Sequence, residues 1–213
     1  MRKLFLPLAL FVQIAFAQKP FNGLGMLQIG TDTSMIYNYA IKMHTKVVVT
    51  DNSEAVLKGN LENNPKVIIY RLTANPDKSK NRPSTNYCPG VAQFYISKYD
   101  TAGMTMKGIT INFYKNKLFA VECALAKSMV DYMNLQYGKS KATIISTPTT
   151  CTGADGRPLK GETFSTGWLQ AEVKAGMKMR RDYDKDCKPI VEGTFFYGAI
   201  TDEIVACQEA SKK

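Results

Sequence analysis

A chain of 213 residues with 28 Lys and Arg against 18 Asp and Glu carries a formal charge of +10 and a single histidine. Its 45% apolar and 10% aromatic content excludes a disordered chain and is ample for one domain or two small ones around a real core. One histidine excludes zinc sites of the H-E-x-x-H type, and five cysteines without a C-x-x-C spacing exclude a thioredoxin-like redox centre.

Residues 1–17 have the make-up of a secretory signal peptide. Arg2 and Lys3 form a positive n-region, residues 4–16 an apolar run, and Ala15-Phe16-Ala17 an A-x-A-like cleavage site. The run is shorter than the roughly 20 residues that span a bilayer. The expected product is a soluble exported chain beginning near Gln18, periplasmic or secreted, with no transmembrane anchor. Loss of Arg2 and Lys3 leaves a formal charge of about +8.

Residues 31–44 predict a helix. Thr31, Asp32 or Thr33 can cap it, and Met35, Ile36, Tyr39, Ala40 and Met43 form its apolar face. Residues 47–49 and 67–72 read as strands on either side of a polar, turn-rich stretch broken only by Ala55, Val56 and Leu57. Residues 75–86 are the most loop-like segment. A strand over 91–98 and a turn over 99–103 lead into the most informative part of the chain.

There Ile109, Ile111 and Phe113 alternate with Thr110, Asn112 and Tyr114, the period of a half-buried strand. A two-residue loop at Lys115-Asn116 would set Phe113 opposite Leu118 and Ile111 opposite Ala120. The returning strand is apolar on its other face too, through Phe119 and Val121, as an interior strand should be. From Ala124 the period becomes helical: Ala126, Met129, Val130, Met133 and Tyr137 share a face, and Gly138 stops the helix. Strands are expected at 142–146, 163–173, 177–181 and 190–197. Residues 149–161 read as a connection, 182–186 as a turn and 200–210 as a closing helix.

These elements predict an α+β fold of antiparallel sheets with packed helices, possible as two tandem helix-plus-meander modules. After the leader (1–17), the modules would span 18–123 and 124–213, or form one continuous domain. An Ile29-Gly30-x-x-Thr33 helix start and the Phe113-to-Leu118 hairpin resemble the small α+β modules of the outer-membrane-assembly-lipoprotein and beta-lactamase-inhibitor type. The chain more closely resembles exported proteins of Bacteroidetes-type bacteria that carry no settled activity. That resemblance rests on the F-x-G-L-G-x-x-x-I-G opening (21–30), Tyr87-Cys88-Pro89, Glu122-Cys123 and Tyr137-Gly138-Lys139. It implies an exported fold and assigns no catalytic residue.

All five cysteines, Cys88, Cys123, Cys151, Cys187 and Cys207, are disulfide candidates in an exported chain. Their odd number leaves one thiol over or pairs it with another chain. The topology above brings Cys123 toward Cys151 and Cys187 toward Cys207. Neither a catalytic residue nor a metal or cofactor ligand set stands out. His44 lies on the first helix, and no G-x-S-x-G elbow accompanies it. Asp182, Asp184 and Asp186 alternate like a calcium loop, but Cys187 stands where that loop needs Gly and Gly193 where it needs Glu. The Met104/Met106 and Met177/Met179 pairs could hold Cu(I) through soft thioethers, although alternating residues on one strand face read first as packing. Gly103, Gly108, Gly153 and Gly156 read as turn glycines.

The function this favours is a non-catalytic binding or interaction module of the envelope or exterior, with a protein or glycan partner and no nucleic acid. One alternative is a carboxylate-dependent enzyme such as a glycan hydrolase, drawing on Glu122, Asp131, Glu162 or Glu192. Another is a basic protein that binds polyanions or membrane surfaces.

Overall fold

The computed structural model describes residues 20–59, 61–73, 88, 90–139, 141–170, 173–199, 202, 205 and 206. The expected leader, the segment 75–86, Tyr87, Pro89, Cys207 and most of the predicted closing helix lie outside the described residues. In chain order the elements are β1 (Gly23–Leu24), β2 (Leu27–Gln28), α1 (Ser34–Lys42), β3 (Val47–Thr50), α2 (Ser53–Lys58), a 3-10 turn (Leu61–Asn63) and β4 (Ile69–Leu72). The long strands β5 (Val91–Thr101), β6 (Met104–Tyr114) and β7 (Lys117–Ala124) come next, then α3 (Lys127–Tyr137). A meander of β8 (Ala142–Thr152), β9 (Pro158–Gln170), β10 (Val173–Tyr183) and β11 (Pro189–Gly198) follows.

The protein is mostly β, which corrects the expected α+β class of antiparallel sheets with packed helices. One mixed nine-stranded sheet runs β3-β4-β5-β6-β7-β11-β10-β9-β8, beside the small β1-β2 ribbon. Among the described residues, helices α1, α2 and α3 hold only 9, 6 and 11 residues. The difference lies in the stretch read as a connection: Thr149 to Thr152 complete β8, and Pro158 to Gly161 open β9. These stretches show no apolar alternation: the buried positions in them are the disulfide-bonded Cys151 and Gly161. β3 and β4 run parallel, with α2 in their connection, and every other neighbouring pair is antiparallel. β7 pairs with β11 from Thr194↔Ala124 to Gly198↔Ala120. Backbone pairing therefore continues from the strands before α3 into the meander after it.

The β6–β7 turn is Lys115-Asn116, with φ of 47° and 63°, the type I′ form whose twist matches a hairpin. Phe113 does face Leu118, but the register then shifts, so that Asn112 meets Ala120 and Ile111 meets Val121. The expected Ile111–Ala120 pair does not form, because Phe119 is the extra residue of a bulge. The bulge lets Leu118, Val121 and Cys123 all face the core. On β6 the buried positions change from odd (Ile109, Ile111, Phe113) to even (Met104, Met106) across Gly108, whose φ is +58°. Glycine takes that conformation without the Cβ penalty.

α1 starts within the expected span. The Thr33 N–H and hydroxyl both donate to Asn116 Oδ1, at 3.3 and 2.7 Å, so the β6–β7 turn caps the helix. α3 begins at Lys127 rather than Ala124 because β7 runs on through Ala124. α2 falls in a stretch read as turns; Asn52 Oδ1 caps it by accepting from the Ala55 N–H at 3.1 Å.

Both longer helices pack on one face of the sheet. Ile36, Tyr39 and Ala40 from α1, and Met129 and Met133 from α3, meet Phe94, Ile111, Phe113, Val121, Phe195 and Tyr197 in one cluster. The Trp168 indole N–H donates to the Gly138 carbonyl at 2.8 Å, which fixes the end of α3 to β9. Among the described residues, cover on the opposite face is seen at β4–β5, where Val56 of α2 meets Leu72 and Tyr95.

Cys151 and Cys187 form a disulfide with Cα atoms 5.5 Å apart. Cys88 is also disulfide-bonded, and Cys123 is a free, buried thiol. Neither expected pairing, Cys123–Cys151 or Cys187–Cys207, is made. β11, β10 and β9 lie between β7 and β8, a separation of about 19 Å at ordinary strand spacing, well beyond the ~7 Å reach of a bridge. Cys187 is taken by Cys151, because the β10–β11 turn folds back toward the end of β8.

Candidate binding surface

The residues with the strongest chemical potential in the sequence are scattered. His44 is exposed in the turn after α1. Asp131 on α3 pairs with Lys127 at 2.7 Å, and Glu162 on β9 pairs with Arg181 on β10 at 2.9 Å. Strand register places Glu162 on the helix-bearing face of the sheet, and Glu122 and Glu192 on the other. Glu122 lies opposite Phe196, and residues 192 to 196 of β11 span about 13 Å. A glycosidase pair needs carboxyls about 5–10 Å apart. Glu122 and Glu192 are thus spaced beyond that range along the sheet, and Glu162 lies across it from both.

The alternating aspartates build a turn. Asp184 Oδ1 accepts from the N–H groups of Asp186 and Lys188, both at 2.9 Å. Asp182 pairs with Arg180, and its carboxyl is held below the usual range by the Tyr183 N–H and then by Arg180. Among the described residues no group of three His, Cys, Asp or Glu side chains could hold a metal. Met104 and Met106 are core residues, Met177 is half-buried and Met179 is exposed.

Two surface features remain. The first is an open cleft of about 440 Å³ between α1, the β1-β2 ribbon and the end of β5. Met26, Met35 and Met43 line it with Tyr39, Tyr99 and Asp100. Its walls are fixed: the Met26 N–H donates to the Tyr99 hydroxyl at 2.9 Å, and the Tyr39 hydroxyl donates to the Lys98 carbonyl at 3.2 Å. Burial pushes the Tyr39 phenol up to about 12, with Asp100 adding to the shift.

The second is the sheet face opposite α1 and α3, which among the described residues no helix covers around β11. Across β7, β11, β10 and β9, register sets Glu122, Phe196, Gly176 and Gly167 side by side. Phe196 is 42% exposed, and its ring lies over Gly176, where an added Cβ would come within 2.7 Å of it. Here glycine is required by close approach. Lys174 and Lys178 share this face on β10, and Arg180 and Glu192 face each other farther along. Among the described residues, Ile145, Ile190 and Phe196 are exposed large apolar side chains on this face, while Ile144, Met179 and Val191 are exposed on the helix-bearing one.

These positions are partly legible in the sequence. In Phe195-Phe196-Tyr197 only two of three adjacent aromatics can face one side of a strand, and in Ile144-Ile145 only one of two. Which member would be left in water depended on strands and helices far away in sequence. No family model, curated protein or solved structure matches the chain.

Proposed function

We propose that this is an exported, non-catalytic binding protein that takes a protein partner on the uncovered sheet face around Phe196. The observation that carries the reading is a large aromatic side chain, 42% exposed, on β11 in the interior of the nine-stranded sheet. Exposed aromatics with a polar rim are the usual anchors of protein contacts. Lys174 and Lys178 beside it favour a partner with acidic rim residues. The leader-like residues 1–17, the disulfide Cys151–Cys187 and the resemblance to exported Bacteroidetes-type proteins support an envelope or exterior location. Among the described residues, no helix is long and apolar enough to cross a membrane.

The test is site-directed photo-crosslinking in an exporting host, with the reactive residue at Phe196 and a control at the exposed Leu135 on α3. A discrete protein adduct from position 196 alone is expected, and Phe196→Asp should abolish its capture. Adducts from neither position, or from both alike, sink the reading. Binding that collapses with added salt while surviving Phe196→Asp would point instead to a polyanion.

A further inference from the structure

We propose that β8 is a dimerisation edge, pairing antiparallel with β8 of a second copy of this chain about a twofold axis normal to the sheet. β8 ends the nine-stranded order, so among the described residues one row of its backbone N–H and C=O groups has no strand partner. Its residues from Ala142 to Ser146 pair regularly with β9, and the register breaks only after Pro148. All of Ala142 to Thr147 are exposed, with Ile144 at 64% and Ile145 at 55%.

Edge strands are ordinarily protected by shortness, charge, proline or bulges. The other edge follows that rule: β3 has four residues and lies between Lys46 and Asp51. β8 does not. It has 11 residues, and ATIISTPTTCT contains no charged side chain, although the chain as a whole carries +10. Proline and the irregularity fall at its far half and leave Ala-Thr-Ile-Ile-Ser-Thr open. This is a short, β-prone, uncharged segment of the kind that pairs with strands.

A second copy fits this edge by symmetry and charge. A twofold through Ile145 sets the two Ile145 side chains opposite each other on the uncovered face, with Ile144 opposite Ser146 and Thr143 opposite Thr147. β-branched pairs across strands are favourable. Lys141 then falls opposite Thr149, so the two Lys141 positions lie about 27 Å apart at strand rise, beyond the ~8 Å screening length at physiological salt. An uncharged strand thus lets two basic copies meet where like charges are kept apart. The five-residue overlap from Thr143 to Thr147 makes about four to six backbone bonds and is smaller than a standard interface, so the dimer is expected to be reversible and concentration-dependent.

The experiment is sedimentation equilibrium on the full exported chain from low to high micromolar concentration, with an unfolding midpoint for each variant. The wild type is expected to approach twice the monomer mass. Ile145→Lys and Thr143→Lys should each weaken association by about tenfold or more, with unfolding midpoints unchanged at low concentration. Val48→Lys, on the opposite edge, should associate like the wild type. A monomer at every concentration overturns the proposal, as does association that persists in both β8 variants or is equally lost in Val48→Lys. Because Phe196 lies away from this edge, loss of dimerisation would leave the photo-crosslinking result standing, and the converse also holds.

Discussion

The Tyr197 hydroxyl donates to the Leu27 carbonyl at 2.6 Å and accepts from the Leu24 N–H at 3.3 Å, joining β11 to a ribbon 170 residues earlier in the chain. Phe21 closes the same junction, with its ring edge-on to Tyr197 at 5.2 Å and to Tyr137 at 5.6 Å. The start of the described chain is therefore held by the last strand of the sheet and by α3.

Tyr197→Phe keeps the ring and removes only the hydroxyl, leaving a buried N–H and a buried C=O without that partner. The expected cost is about 1–3 kcal/mol. It should appear as a lower denaturant midpoint with an unchanged slope, together with faster exchange of the Leu24 amide. An unchanged midpoint would mean that the ribbon is anchored by Leu24 and Leu27 packing alone.

The Cys151–Cys187 bridge closes a separation of 36 residues and fastens the β10–β11 turn to the outer strand. Loop-closure entropy for that length is worth about 3–4 kcal/mol. Replacing both cysteines by serine should lower stability by roughly that amount. Amide exchange in β8 and the tip of β9 should accelerate more than in β5–β7, because few apolar contacts hold the tip. Uniform acceleration across the sheet would contradict this local role.

The parts of the fold visible in the sequence are those with one wet face. Ile109, Ile111 and Phe113 announce β6, and the Met129/Met133 spacing announces α3. Local code carries them because each buries a periodic stripe against a neighbour. The sequence is silent at Thr149 to Thr152 and Pro158 to Gly161, which are strands by pairing and not by apolar pattern. The bulge at Phe119 was equally hidden, because its signature is a partner register rather than a residue type. The candidate surface shares that limit. Phe196 becomes notable only once Phe195 and Tyr197 are known to face the helices.

Cys123 sits under α3 with its sulfur 4.0 Å from Met129 Sδ. Burial, and then the neighbouring Glu122 charge, push its thiol up to about 12, so it is protonated and inert at neutral pH. Alkylating reagents at pH 8 should leave the native, non-reduced protein unlabelled and add one group after unfolding in denaturant. Labelling at rates near those of a free thiol, without denaturant, would show that the core around α3 opens far more readily than its packing implies.

The alkaline limit of stability follows from two buried phenols. Tyr39 is pushed up to about 12 by burial, with Asp100 and Tyr99 adding to it. Tyr197 is raised further still, chiefly by burial. An unfolded tyrosine ionises near 10, so above that pH the unfolded chain holds fewer protons than the native one, and stability falls as pH rises. The contribution is complete below pH 10 and is progressively lost through about 12. Absorbance at the phenolate band should therefore show fewer ionised tyrosines in native than in denatured protein across that window, with the deficit disappearing cooperatively when the chain unfolds. In Tyr197→Phe the native deficit should shrink by one tyrosine. A full tyrosine titration near pH 10 without unfolding would contradict the buried setting of both hydroxyls.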